Sequence, residues 1–304
     1  ASRGLGDVYK RQPDCKSRQE VYDWVVNEVE AIADQCPDRE NNYGQFTKGA
    51  AQSLLAKLYL NAEAWGVTCS GNAYEKVINA CDKVLAMGYI LETNWKDNFS
   101  LTNENSREAI LAAIFSESDT NKRNQLHLNS LHYKQNLVYG APFGAWNGLC
   151  AQPDYVKLFP EDDPRYEGSF LIGQQYDLST GEKILTAYNM ELNYTAEIAM
   201  MPGTGYDGTK WGAVLQQAGF RANKWTYSSS LNDGMGNDYH VFRLADIYLM
   251  KAEALLRSGG SASEATNLVN AVRARAYGNT NHNYASVTLK EVQLERRLEF
   301  AWEL

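Results

Sequence analysis

Between residues 16 and 34, Val21, Trp24, Val25, Val29, Ile32 and Ala33 recur at helical spacing before Pro37, which predicts one amphipathic helix with these residues on its buried stripe. Thr47 reads as an N-cap. Behind it Ala50, Ala51, Leu54, Leu55, Leu58, Tyr59 and Ala62 repeat at three and four up to Gly66. Asn72 caps a further stretch whose apolar face is Tyr74, Val77, Ile78, Cys81, Val84 and Leu85, closed by Gly88. Small residues on the first helix facing bulky ones on the second predict an antiparallel hairpin.

The pattern returns near the end. Leu244, Ile247, Tyr248, Ala252, Leu255 and Leu256 form a stripe that stops at Gly259-Gly260. Ser261 and Glu264 then make a capping box, and Ala265, Leu268, Val269, Val272 and Ala276 continue the helical spacing. Tyr59-Leu60-x-Ala62-Glu63-Ala64 echoes Tyr248-Leu249-x-x-Ala252-Glu253-Ala254, as degenerate tetratricopeptide-like units would. A third capping box, Thr288 with Glu291, opens a helix carrying Leu289, Val292, Leu294, Leu298 and Phe300.

Between the hairpins periodicity fades. Ala109 to Phe115 is a short apolar run readable as strand or buried helix. Gly, Asn, Asp and Tyr then dominate, with turn signals at Gly140-Ala141-Pro142, Asp163-Pro164, Gly203-Thr204-Gly205 and Asn232-Asp233-Gly234. The aromatic load of this stretch argues for an ordered functional insertion. The organisation expected is a tail at 1–12, a helical scaffold with the first hairpin at 13–98, the insertion at 99–240, and the second hairpin with a last helix at 241–304.

Composition narrows the function classes. The 304 residues carry a formal charge of −8, and no apolar run is long enough for a transmembrane helix, so a broad nucleic-acid footprint and a membrane span are both disfavoured. Five cysteines without a CxxC pair indicate neither a disulfide framework nor a zinc ribbon. Ser2 to Gln12 back-translate into a sequence resembling an adaptor of transposase-based sequencing libraries, so residues 1–12 are set aside as non-native. Removing Arg3, Lys10, Arg11 and Asp7 takes the formal charge to −10. The last helix carries no stop signal, and the chain is expected to be a cut piece of a longer protein.

Most candidate chemistry fails on context. Gly203 to Gly208 spells G-x-G-x-x-G, but Pro202 precedes it where a strand should, so a turn-rich loop is the better reading. None of His127, His132, His240 and His282 shares a metal-binding helical spacing, and Glu161-Asp162-Asp163 before Pro164-Arg165 reads as a turn with an Asp–Arg pair rather than a calcium loop. No pair among 37 acidic residues declares itself for glycoside hydrolysis, and no nucleophile elbow occurs. No catalytic residue, metal or cofactor is therefore expected. Loop aromatics beside amides are the sharper signal, because a pyranose stacks its C–H face on an indole and offers hydroxyls to polar neighbours. Trp146, Asn147, Trp211, Trp225 and Tyr227 are the expected ligand-binding residues, while Trp24, Trp65 and Trp302 are assigned to core.

Taken in order, Gln45 to Leu60, Tyr74 to Tyr89, Asn105 to Ile110, Pro153 to Phe159 with Asp163-Pro164-Arg165, Phe242 to Ala254, Asn270 to Ala276 and Glu295-Arg296-Arg297-Leu298-Glu299 resemble the SusD/RagB family of nutrient-binding outer-membrane lipoproteins of Bacteroidetes. The resemblance runs from about Val21 to Leu304. It implies a mainly α, tetratricopeptide-like scaffold with an irregular binding insertion, non-catalytic capture of oligosaccharide, and delivery to a SusC-like TonB-dependent transporter. It also implies an outer-membrane, surface-exposed location through a lipid anchor that this piece lacks. Arg243, Asp246, Arg273 and Glu253 are expected to pair helices within the scaffold, and no sugar-contacting residue is carried over from the family. The alternative is a helical-repeat protein that captures peptide or a protein partner.

Overall fold

A computed structural model describes residues 15–119, 123–142, 144–199, 215–229 and 234–303. Three helices open the chain, α1 (Arg18–Ile32), α2 (Lys48–Asn61) and α3 (Ala73–Leu85). The middle of the chain holds β1 (Ala109–Ala113), the short helices α4 (Leu126–Ser130), α5 (Asn136–Tyr139), α6 (Pro153–Val156) and α7 (Pro164–Ser169), and the two-residue strands β2 (Phe170–Leu171), β3 (Gly173–Gln174), β4 (Asn193–Tyr194) and β5 (Arg221–Ala222). The chain then returns through β6 (Tyr239–Arg243) to α8 (Leu244–Ser258), α9 (Ala262–Tyr277) and α10 (Leu289–Glu299).

The caps are where the sequence places them. The Thr47 hydroxyl accepts from the Ala50 amide, Asn72 Oδ1 from Tyr74 and Glu75, and Ser261 Oγ from Glu264. Thr288 and Glu291 close a capping box, and Gly259 ends α8 in the left-handed region at φ 71°. Ala50, Ala51 and Ala56 on α2 are fully buried and let α3 approach with Val77, Cys81 and Val84. Each of these valines contributes roughly 1.5–3 kcal/mol of burial.

The two hairpins, far apart in sequence, are neighbours in space. α3 packs on α2 and on α8, α8 packs on α9, and α10 lies across both. The scaffold is one continuous helical stack from which the insertion is looped out. Its base is a two-stranded antiparallel ribbon, β1 against β6, with Ala109 opposite Arg243 and Ala113 opposite Tyr239. The apolar run from Ala109 is thus a strand at its start.

One helix face differs from expectation. α1 buries Tyr22, Val26, Val29 and Ala33, whereas Val21, Ile32 and Trp24 are exposed, Trp24 at 64%. The helix is apolar on two sides, and packing against α2 selects the Tyr22 side. Trp65 is also exposed, and Trp302 is half-buried against Phe170, its indole N–H donating to the Ser169 carbonyl at 2.8 Å.

A buried ion lattice ties the insertion to the scaffold. Five carboxylates (Glu108, Asp163, Glu295, Glu299, Glu303) meet five cations (Arg165, Lys224, Arg243, Arg273, Arg275). Arg165 donates to Asp163, Glu295 and Glu299 at 2.7–3.0 Å, and Arg243 to Glu108, Glu299 and Glu303 at 2.5–2.9 Å. Equal numbers of opposite charges are what a dry interior requires, since an unpaired buried ion is costly. The expected helix-pairing role holds for Arg243, for Asp246 with Arg296 at 2.7 Å and for Arg273 with Glu295 at 3.0 Å. Glu253 instead pairs with Arg257 on its own helix.

Candidate functional site

The segment after Gly144 is held against the end of α4. Trp146 N–H donates to the Leu128 carbonyl at 2.7 Å, Asn147 to Leu131 at 2.9 Å, and Gly148 and Leu149 both to Asn129. These bonds satisfy carbonyls that a short helix leaves open at its C-terminus. Gly144 is required by close approach, because a Cβ there would lie 2.6 Å from the Tyr133 carbonyl oxygen. Asn147 adopts φ 55°, a conformation that asparagine tolerates better than most residues. The result is a rigid turn that leaves the Trp146 indole 48% exposed.

Beneath this turn lies a polar hub. Arg221, only 3% exposed, donates from Nη2 to Asn147 Oδ1 at 2.9 Å and to the Gln216 carbonyl at 2.8 Å, and from Nη1 to the Ala218 and Gly219 carbonyls. Gln216 Oε1 accepts from the Ala187 amide at 3.2 Å and sits 3.3 Å from His132 Nε2. Burial pushes the His132 imidazole down to about 4; Gln216 opposes that shift, and the Arg221 and Lys134 charges reinforce it. The ring is neutral at physiological pH and serves as a packing and hydrogen-bonding element, edge-on to Tyr133 at 5.4 Å.

A hairpin flanks the hub. Its β3–β4 pairing is anchored by Tyr194, whose hydroxyl donates to Gln135 Oε1 at 2.7 Å while Gln135 Nε2 donates to Gln175 Oε1 at 3.0 Å. The hairpin exposes Tyr176 and Tyr188, and Tyr133 is exposed beside the hub. A depression of about 340 Å³ lined by Met190, Glu191, Asn193, Thr195, Leu215 and Gln217 lies along the β4 side of the hairpin. Exposed rings set among amides on short, hydrogen-bonded loops form a surface able to stack and hydrogen-bond a flat polar ligand.

The expected site residues fall into three groups. Trp146 and Asn147 lie together on the exposed turn. Trp225 is a correction: at 4% exposure it packs edge-on to Phe99 at 6.0 Å and stacks on Tyr239 at 6.1 Å, which leaves no indole face for a ligand. Tyr227 is half-buried, packed on Tyr139 at 4.9 Å with its hydroxyl donating to the Ala222 carbonyl at 2.6 Å, so its polar end is already engaged. Trp211 and the Gly203–Gly208 segment lie outside the described residues. Sequence reasoning passed over Tyr133, Tyr188, Gln216 and Arg221, which only the crossing of three loops brings together; a basic residue in a stretch without carboxylates was the available signal.

Other chemistries find no purchase among the described residues. No group of His, Cys, Asp and Glu there is placed to hold a metal ion, and no helix is long and apolar enough to cross a membrane. Asp163 caps α7 and pairs with Arg165. A cavity of about 280 Å³ lies between β6 and α10, lined by Tyr155, Tyr239, His240, Arg243, Arg296 and Glu303.

The comparisons agree with this architecture. The starch-binding protein SusD of Bacteroides thetaiotaomicron is 28% identical over 320 residues, covering 96% of this chain and 56% of that protein. A SusD-like protein of Bacteroides ovatus is 25% identical over 293 residues, covering 94% of this chain and 49% of its own length. The chain spans about half the length of these curated relatives. Surface glycan-binding protein A of Bacteroides uniformis has the same fold, with a TM-score of 0.66 at 19% identity over 97% of this chain and 57% of that one. The SusD family model matches residues 107–304, and the chain belongs to the SusD family.

Proposed function

We propose that this protein is a non-catalytic, surface-exposed glycan-binding protein that passes its ligand to a SusC-like TonB-dependent transporter. The observation that carries the reading is the Trp146 indole, half exposed on a hydrogen-bonded turn beside Asn147. Stacking one sugar ring buries on the order of 100 Å², about 2.5 kcal/mol, which is less than the roughly 4 kcal/mol or more that association costs. Several rings must act together, and Tyr133 and Tyr188 supply them around the same hub. Starch-binding and glycan-binding relatives support the ligand class. Lipid anchoring in the outer membrane and the transporter partner rest on the family.

A purely binding role fits the carboxylates. Glu108, Asp163, Glu295 and Glu299 are locked in ion pairs with arginine and are not placed as an acid and base across a cleft. Affinity gel electrophoresis against a panel of polysaccharides tests the reading. Retardation by at least one glycan, weakened in Trp146→Ala and Tyr133→Ala, is the expected result. Release of sugar from any panel member, or no retardation by any, would refute it.

A further inference from the structure

Acidic residues are missing from one part of this acidic chain. Residues 120–153 and 208–232 contain no Asp or Glu, where an even spread of the 37 acidic residues over 304 positions would place about seven. Basic residues are not depleted there: Lys122, Arg123, Lys134, Lys210, Arg221 and Lys224 keep the average density. The described parts of the two stretches meet in the fold. Ala151 N–H donates to the Phe220 carbonyl at 2.9 Å, Ala222 N–H to Ser130 Oγ at 2.8 Å, and Arg221 to Asn147. Together they build the turn of Trp146 and the hub beneath it.

Two cations of these stretches, Arg221 and Lys134, have no carboxylate partner among the described residues, whereas Lys224 pairs with Glu303. All four acceptors of Arg221 are neutral oxygens, its Nε–H is buried without an acceptor, and its guanidinium lies over the Tyr194 ring at 5.3 Å. Lys134 is exposed and has no carboxylate within salt-bridge distance among the described residues. Both flank His132: the Lys134 backbone N–H donates to its Nδ1 at 3.1 Å, and Gln216, whose carbonyl accepts from Arg221, sits 3.3 Å from its Nε2. On the flanking hairpin Glu191 pairs with Lys183 at 2.7 Å. By contrast, the buried cations of the scaffold lattice are each matched by a carboxylate. A positive charge buried without a counter-ion is costly, and the potential it projects favours an anion at the adjoining surface.

We propose that the ligand of this face is an anionic glycan, with carboxylate or sulfate groups on the rings that stack at Trp146 and Tyr133. This rests on the glycan-binding reading above and specifies its substrate class. A polyanion approaching a protein of formal charge −8 is favoured where the segments that carry the stacking ring and the hub hold cations and no acidic residue, the carboxylates of the flanking hairpin lying outside them.

Affinity electrophoresis with polygalacturonate, its carboxyl-reduced neutral form, and chondroitin with and without its sulfates tests the proposal, with a glycan-free gel correcting each variant for its own mobility. Retardation by an anionic polymer and its loss on carboxyl reduction or desulfation are expected, and the two polymers separate carboxylate from sulfate recognition. Lys134→Glu is expected to weaken that retardation about fivefold and Lys134→Gln less, with a further loss in high salt. Arg221→Gln should act in the same direction. Should Arg221→Gln fail to fold, the exposed Lys134 pair decides the question. Equal retardation by polygalacturonate and its reduced form, or indifference of anionic retention to Lys134→Glu, would overturn the proposal and leave the glycan-binding reading standing. Retention by no glycan of either charge would overturn both.

Discussion

Arg165 and Glu295, 130 residues apart in the chain, meet at 2.7 Å with neither side chain exposed. The contact joins the insertion to the last helix of the scaffold. Because Arg165 also holds Asp163 and Glu299, removing it leaves the buried Asp163 without its cation and takes one cation each from Glu295, which keeps Arg273, and Glu299, which keeps Arg243 with Arg275. Arg165→Met is expected to destabilise the fold by about 3–5 kcal/mol, read as a lower urea midpoint. A midpoint within error of the parent would mean that the lattice does not hold the two parts together.

Acid should unlock the same lattice. Burial alone would raise the Glu108 carboxyl, but the Arg275 and Arg243 guanidiniums outweigh it and hold it down at about 2. The unfolded chain then binds more protons than the folded one between these values, so this stabilisation is full above pH 4.5 and is lost as pH falls towards 2. Tryptophan fluorescence followed from pH 6 to 2 should show unfolding in that window. In Glu108→Gln the slope of stability against pH there should flatten; an unchanged slope would assign the transition to other groups.

Trp146 and Trp225 should behave as opposites. Trp146→Ala removes an exposed ring and is expected to leave stability within about 0.5 kcal/mol of the parent. It should weaken glycan retention by about 2 kcal/mol, roughly thirtyfold. Trp225→Ala opens a cavity against Phe99 and Tyr239 and should cost about 3–5 kcal/mol. Thermal melts beside the retention assay separate the two, and a stable Trp225→Ala with lost binding would return that residue to the ligand site.

Gly144→Ala tests whether the turn positions Trp146. The new methyl would meet the Tyr133 carbonyl at 2.6 Å, so the backbone must move, at about 1–3 kcal/mol. Glycan affinity should fall although no ligand-facing atom has been removed. Unchanged affinity would show that Trp146 adjusts independently of the turn.

How far the sequence reached can be read from particular residues. Thr47, Asn72, Ser261 and Thr288 cap helices as their spacing implied, because a cap involves only its own first turn. The buried face of α1 is not legible locally, since Val21 with Trp24 and Tyr22 with Val26 offer apolar stripes on two sides and local spacing cannot rank them. The aromatic count of the insertion was legible as a reason for order, but not which rings it spends on its own core. Trp225 lies inside and Trp146 outside because the chain there has no repeat from which a face could be read.

The amino-acid sequence by itself determined the helical periods and their caps, which depend on neighbours within a few positions. Tertiary structure alone decided that α3 lies against α8, that Arg165 and Arg243 share Glu299, and that Asn147 rests on Arg221 beneath an exposed tryptophan. Those relationships join residues separated by tens to hundreds of positions. Burial and charge compensation select them only once the whole chain has closed on itself.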